Sequence, residues 1–235
     1  MERLLILTGA GISAESGLGT FRDRDGLWTR HDLNQVATPE GFARNPAQVH
    51  AFYNARRANS RAARPNAAHL ALARLEHDYP GELLIVTQNV DDLHERAGSR
   101  RVLHMHGTLE GALCAACGHR WPALAVMQPS APCPGCAAPR TRPDIVWFGE
   151  YPYHMEEIWQ ALRAADVFVA IGTSGTVYPA AAFAQDAARA GAWCLELNAE
   201  ASATAPDFDA LRLGPATRIV PEWVAGVLAR GTARE

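Results

Sequence analysis

Thr8-Gly9-Ala10-Gly11-Ile12-Ser13-Ala14-Glu15-Ser16-Gly17 follows directly on the apolar run Arg3-Leu4-Leu5-Ile6-Leu7, and together they read as a strand running into a nucleotide-binding turn. Gly9 and Gly11 permit a tight turn and close approach of backbone to a diphosphate, and Ala14 is small enough for a following helix to pack on the strand. An ordinary dinucleotide unit would continue through helix and strand to an acidic residue for the ribose. Here the chain enters the polar loop Thr20-Phe21-Arg22-Asp23-Arg24-Asp25-Gly26 instead. The start points to a dinucleotide, and the continuation points away from a dehydrogenase.

Beyond this turn, apolar runs recur at Leu4 to Leu7, Leu83 to Val86, Val102 to Leu103, Val167 to Ile171 and Trp193 to Leu197. Several are flanked by segments of helical period, among them Glu156 to Ala165, Pro179 to Ala190 and Pro221 to Ala229, the last expected to start at its proline. That alternation predicts an α/β fold with a mainly parallel sheet covered by helices. Two stretches interrupt it. Between Leu27 and His77 only helices are expected, near Pro46 to Arg61 and Asn66 to Glu76, and from Thr108 to Arg142 the composition shifts to Cys, Pro, Gly and Ala.

The 235 residues suffice for one substantial core and a smaller appendage. A hydrophobic content of 48% with 20% charged residues excludes a disordered chain, and a net charge of -3 gives no reason to expect a nucleic-acid backbone as partner. The N-terminal apolar run is broken too early for a secretory signal, and no stretch has the length of a membrane span, so a cytoplasmic protein without membrane partners is expected.

Cys114-Ala-Ala-Cys117 and Cys133-Pro-Gly-Cys136 give two C-x-x-C pairs at zinc-ribbon spacing. Four thiolates close a tetrahedral site and leave no position for water, so the metal would be structural. Two pairs at this separation fit a ribbon better than a redox dithiol. His119 reads as a ribbon surface residue and Cys194 as a buried core residue.

Leu83 to Val86 runs into Thr87-Gln88-Asn89-Val90-Asp91-Asp92, which puts amides and a carboxylate where open α/β sheets bind ligands. The same residues read equally as a turn capping the next helix. Leu103-His104-Met105-His106-Gly107 places two histidines on one face of an extended segment, as a metal pair, packed core residues or a catalytic base.

Taken together, Gly9-Ala10-Gly11-Ile12-Ser13, Thr20-Phe21-Arg22, Gln88-Asn89-Val90-Asp91, His106-Gly107, the four cysteines, Phe148-Gly149-Glu150, Gly172-Thr173-Ser174 and Asn198 resemble, in order, the sirtuins, NAD-dependent protein-lysine deacylases. The resemblance implies a Rossmann-like parallel-sheet domain (1–26, 78–107 and 146–235) and a smaller domain made of a helical insertion (27–77) and a zinc-binding insertion (108–145). It implies that Gly9, Ala10, Gly11, Ile12, Glu15, Thr20, Phe21 and Arg22 surround NAD, that Gln88 and Asn89 contact ribose, and that Asp91 holds the nicotinamide amide. Gly172, Thr173 and Ser174 would serve the phosphate side, Asn198 and Glu200 the adenine ribose, and Ala216 the adenine.

His106, with Asn89, falls at the family's catalytic position, and Val146, Trp147, Phe148, Gly149 and Glu150 would pair through their backbone with an acylated-lysine peptide. NAD would be consumed: the acyl-lysine oxygen displaces nicotinamide, His106 acts as general base on a ribose hydroxyl, and 2'-O-acyl-ADP-ribose is released. One structural zinc ion would stand apart from this chemistry. The motifs demand no oligomer.

Ala51-Phe52-Tyr53-Asn54-Ala55-Arg56-Arg57 sets a phenol and a guanidinium at i and i+3 on one helix face. Read bare, this is a solvated arginine-rich face. Tyr53 and Arg56 match the Y-x-x-R signature of the sirtuin branch that removes succinyl, malonyl or glutaryl groups, and Ala37 matches a small residue of its acyl pocket. A Tyr hydroxyl and an Arg fork can grip a carboxylate jointly. The competing expectations are protein ADP-ribosyl transfer at the same NAD site and a zinc-ribbon interaction module, the latter lacking a basic stripe.

Overall fold

The computed structural model describes residues 2–19 and 33–234. Six strands form one parallel sheet: β1 (Arg3–Thr8), β2 (Glu82–Thr87), β3 (Val102–His104), β7 (Val167–Ile171), β8 (Trp193–Asn198) and β9 (Ala210–Leu213). Their order across the sheet is β3-β2-β1-β7-β8-β9. The chain therefore builds outward from β1 in one direction, then returns beside β1 and builds in the other. The gap between the C-terminal ends of β1 and β7 is the topological switch point, where open α/β sheets hold ligands.

Alternation along each strand feeds two cores. Leu4, Ile6, Ile85, Val169, Ile171 and Leu197 face α5 (Ala67–Asp78) and α9 (Ala216–Arg230), whose Leu72, Leu75, Ile219, Trp223 and Val227 are buried there. Leu5, Leu7, Val86, Phe168, Ala170 and Cys194 face α7 (Met155–Ala164) and α8 (Phe183–Arg189). With both faces covered, the strands read as apolar runs instead of alternating ones.

A third core belongs to the smaller part of the molecule. It joins α2 (Leu33–Val36), α3 (Pro39–Arg44) and α4 (Pro46–Ala62) to an antiparallel sheet of β4 (Gly107–Cys114), β5 (Arg120–Pro122) and β6 (Thr141–Ile145), in the order β5-β4-β6. Val36, Val49, Phe52, Tyr53, Leu109, Ile145 and Trp147 are buried together in it. Thr38 and Asn45 cap α3 and α4 with their side chains, each followed by proline at the first helical position. Gly107 has φ +79°, and a Cβ there would lie 2.1 Å from the Asp144 carbonyl oxygen, so the turn out of His106 accepts only glycine.

Four expectations change. Ala14 is exposed, and α1 (Ala10–Ser13) ends before it, so the buried contacts of this turn come from Ile12 and Ser13. Although it lies within 27–77, α5 packs on the main sheet through Ala68, Leu72 and Leu75, so the helical insertion leaves the main core only ahead of α5. The last helix starts at Ala216, with Pro221 inside it, because the Glu15 carboxylate accepts from the Thr217 amide at 3.0 Å and hydroxyl at 2.6 Å and satisfies the first turn. Strand β9, a half-exposed edge, carries too weak an apolar pattern to be read in advance. Among the described residues no helix is long and apolar enough to cross a membrane.

Candidate active site

At the switch point the two turns interlock. The Gly9 amide donates to the Ile171 carbonyl at 3.0 Å and the Gly11 amide to the Gly172 carbonyl at 2.9 Å. A Cβ on Gly11 would meet Gly172 Cα at 2.6 Å, so these glycines serve first to let the β1 and β7 turns touch. Ala10 and Ile12 complete the β1 turn, Ile12 fully buried. The Ile12 amide donates to the Gly9 carbonyl at 3.2 Å, so three amides of this turn hold the turn itself together. Thr20, Phe21 and Arg22 lie outside the described residues.

A buried polar network ties this turn to the end of β2. Asn89 donates through Nδ2 to the Gly9 carbonyl at 3.1 Å and to Ser13 Oγ at 3.2 Å, and its amide donates to Thr87 Oγ1 at 3.0 Å. The Ser13 hydroxyl donates to Asp91 Oδ2 at 3.2 Å, and Asp91 Oδ1 accepts from the Leu93 amide. Burial raises the Asp91 carboxyl above its ordinary value, against the pull of those two donors. His69, whose Nδ1 accepts from the Asn66 amide, approaches Ser13 Oγ with Nε2 at 3.4 Å. Burial lowers His69 to about 4. His69 carries no signal in the sequence that would single it out, since its contact with Ser13 joins residues far apart in the chain.

His106 sits just past β3. Its Nδ1 lies 3.1 Å from the Gln88 carbonyl oxygen, which can only accept, so the proton is on Nδ1 and the Nε2 lone pair is open. Burial lowers its pKa, partly offset by the Gln88 bond, and keeps the ring neutral near pH 7. The backbone thus sets the tautomer of a neutral imidazole. His104 differs: Nδ1 faces the Asn89 carbonyl at 3.0 Å and Nε2 faces Glu95 Oε1 at 2.8 Å.

The segment after β6 lies against His106, because the Val146 amide donates to the His106 carbonyl at 2.9 Å. The Phe148 amide donates to the Ala37 carbonyl, the Trp147 amide to Glu150 Oε2 and the Glu150 amide to the Trp147 carbonyl. Four of the five N–H groups expected to pair with a peptide, all but that of Gly149, are thus used internally. Glu150 is also clamped by the Arg142 guanidinium at 2.6 and 2.8 Å, and Arg142 stacks on the Trp147 ring with its carbon 3.4 Å from the centroid.

Trp147 in turn donates from Nε1 to the Tyr53 hydroxyl at 3.0 Å. Tyr53 is 1% exposed, and burial pushes its phenol up to about 12 despite the nearby Arg56 charge. Burial lowers Arg56, against the attraction of Tyr53 and Asp91, and its guanidinium carbon lies 5.7 Å from the Phe52 centroid. Tyr53 and Arg56 therefore do not form a solvated face. Tyr53 is held inside with its phenol neutral, and Arg56, partly buried, is near enough for its charge to act on both the phenol and the Asp91 carboxylate.

On the far side of the switch point, Asn198 donates to the Thr173 carbonyl at 2.7 Å and to Glu196 Oε1 at 2.9 Å, and its Oδ1 accepts from the Ala199 amide. Ser174 bonds Thr176 at 2.8 Å, Glu200 is exposed, and Ala216 opens α9. Glu15, expected at the cofactor, spends both carboxylate oxygens on Thr217.

The four cysteines come together, with Cys114 and Cys136 sulfurs 3.7 Å apart, Cys117 and Cys133 sulfurs 3.8 Å apart, and all four within 4.8 Å. Tetrahedral zinc with bonds of about 2.3 Å requires sulfur separations of about 3.8 Å, so the set fits zinc. His119 stays outside it, exposed and stacked on Trp121.

The fold and site define a dinucleotide-binding α/β protein with a zinc-ribbon lobe and a neutral histidine beside the crevice at the switch point. The Sir2 family matches residues 9–179, and the chain belongs to it. It is similar to an NAD-dependent protein deacylase of Caulobacter vibrioides, 58% identical over 97% of this chain and 98% of the relative. Among solved structures it is similar to a Sir2 homolog-NAD complex (TM-score 0.89, 38% identity, 98% of this chain and 91% of the other). It is also similar to a mutant Sir2 homologue in complex with 2'-O-acetyl ADP ribose (TM-score 0.88, 38% identity, 96% and 91%).

Proposed function

We propose that this protein is a cytoplasmic NAD-dependent protein-lysine deacylase that removes acidic acyl groups, succinyl or malonyl, at least as well as acetyl. The observation that carries the acidic preference is the buried Tyr53 hydroxyl. Its oxygen already accepts the Trp147 N–H, so its own proton is left to donate, with the Arg56 charge beside it. A carboxylate entering this pocket meets a neutral donor and a guanidinium, both desolvated, where charge-assisted hydrogen bonds are strong.

NAD enters as substrate. The glycine turns receive its diphosphate, Asn198 Oδ1 its adenine ribose, and Gln88, Asn89 and Asp91 the nicotinamide end. The acyl-lysine oxygen displaces nicotinamide, and His106 Nε2 then takes a proton from a ribose hydroxyl as that oxygen attacks the acyl carbon. Water completes release of lysine and 2'-O-acyl-ADP-ribose. Zinc holds the β4–β6 lobe and takes no part, since its four ligands are all protein sulfurs.

The test is a panel of acetyl-, malonyl- and succinyl-lysine peptides incubated with NAD and read by mass spectrometry. The expected result is free lysine, nicotinamide and 2'-O-acyl-ADP-ribose in equal amounts. ADP-ribose attached to protein, with the acyl-lysine intact, would favour ADP-ribosyl transfer instead.

A further inference from the structure

His104 and His106, two residues apart, grip two consecutive carbonyls: His106 Nδ1 donates to Gln88 O at 3.1 Å and His104 Nδ1 to Asn89 O at 3.0 Å. We propose that His104, tied at its other nitrogen to Glu95, is a positioning residue that fixes the Gln88-Asn89 backbone for NAD binding and catalysis. It touches no substrate itself; it acts through Asn89.

The chemistry of the two rings differs because their partners differ. His106 has one carbonyl to satisfy and does so as a neutral imidazole. His104 faces two acceptors, the Asn89 carbonyl and Glu95 Oε1 at 2.8 Å, and only the imidazolium has two N–H donors. Burial works against that charge, but the Glu95 hydrogen bond and charge, the Asn89 carbonyl and the Asp91 charge outweigh it and raise its pKa. His94, the other ionisable group coupled to it, stays neutral through burial. Two histidines on one strand end are thereby shifted in opposite directions, His104 up and His106 down.

The tether closes a loop in the structure. Glu95 lies on α6 (Leu93–Ala97), whose first amide bonds Asp91, and the other side of Asn89 is fastened to Gly9 and Ser13 of the cofactor turn. If the Asn89 carbonyl is released, the peptide plane it shares with Val90 can rotate. Its side chain then loses register with the β1 turn, and the neighbouring Gln88 carbonyl loses its aim at His106 Nδ1. Misplacement of about 1 Å at such a point costs up to roughly 100-fold in rate.

The inference rests on His106 as base, so the experiment includes His106→Ala: full turnover by that variant would overturn the base reading and leave His104 nothing to position. His104→Leu removes both bonds, whereas His104→Asn keeps an amide N–H close to where Nδ1 stood. Kinetics are measured with NAD and peptide varied separately, alongside zinc content and melting. The expected result for His104→Leu is a KM for NAD raised about tenfold or more, a lower kcat, and a KM for peptide changed by less than about twofold, with most of the loss recovered by His104→Asn. Equal defects in the Leu and Asn variants, both KM values rising together, or an unchanged KM for NAD would each overturn the proposal.

Discussion

The Nδ1 atom of His106 donates to the carbonyl oxygen of Gln88 at 3.1 Å, and this one contact decides which nitrogen can act as base. Replacing His106 by Ala removes the proposed base while touching neither the four cysteines nor either core of the main sheet. Deacylation should fall by about 100-fold or more, with melting and zinc content unchanged. Since burial lowers the pKa of His106, the neutral form persists below pH 6.5, and the acid limb of kcat/KM should lie below that value. A limb above it would place another group in control.

Trp147 donates its indole N–H to Tyr53, so it orients the phenol as a donor toward ligand. Trp147→Phe keeps an aromatic ring on Arg142 but frees the phenol to rotate. The ratio of kcat/KM for succinyl over acetyl peptide should drop several-fold, on the scale of about 1 kcal/mol for one neutral hydrogen bond. A ratio equal to the wild type would show that the indole serves packing alone.

His69 should make the fold acid-sensitive. Its folded pKa of about 4 lies below the ordinary value of 6.5, so the unfolded chain binds the extra proton in that window. Stability from this group is complete above pH 6.5 and is lost as pH falls toward about 4. Thermal unfolding followed between pH 7 and pH 4.5 should show a falling Tm, and the fall should be smaller in His69→Gln.

Zinc removal should act through the fold of the lobe. Cys114 and Cys133 are buried, and the β4–β6 sheet they anchor carries Leu109 and Ile145 into the core shared with Tyr53. A chelator should lower Tm and activity together, and zinc should restore both. Activity lost with Tm unchanged would point to a metal at the reaction itself.

Much of the main domain was legible because its strands are buried on both faces. Val167 to Ile171 forms a strand with the expected bounds, and the cysteine spacing fixed the metal set without reference to anything else. What escaped depends on partners distant in the chain. Glu15 starts the last helix through Thr217, and no local pattern near Pro221 records that contact. The exposure of Ala14 follows from how early α1 ends, which the glycine spacing does not encode. Tyr53 and Arg56 read by themselves as a solvated face, and the burial of Tyr53 involves Trp147, on a segment that the sequence marks only for its backbone. His104 and His106 look alike in sequence, and the second acceptor at His104, Glu95, is what sets them apart.

The most direct test compares kcat/KM on matched succinyl- and acetyl-lysine peptides for the wild type, Tyr53→Phe and Arg56→Met. The account predicts wild-type desuccinylation at least equal to deacetylation. It predicts a loss of roughly 10-fold or more on the succinyl peptide in each variant, with a much smaller change on the acetyl peptide. Equal losses on both peptides would contradict the carboxylate clamp.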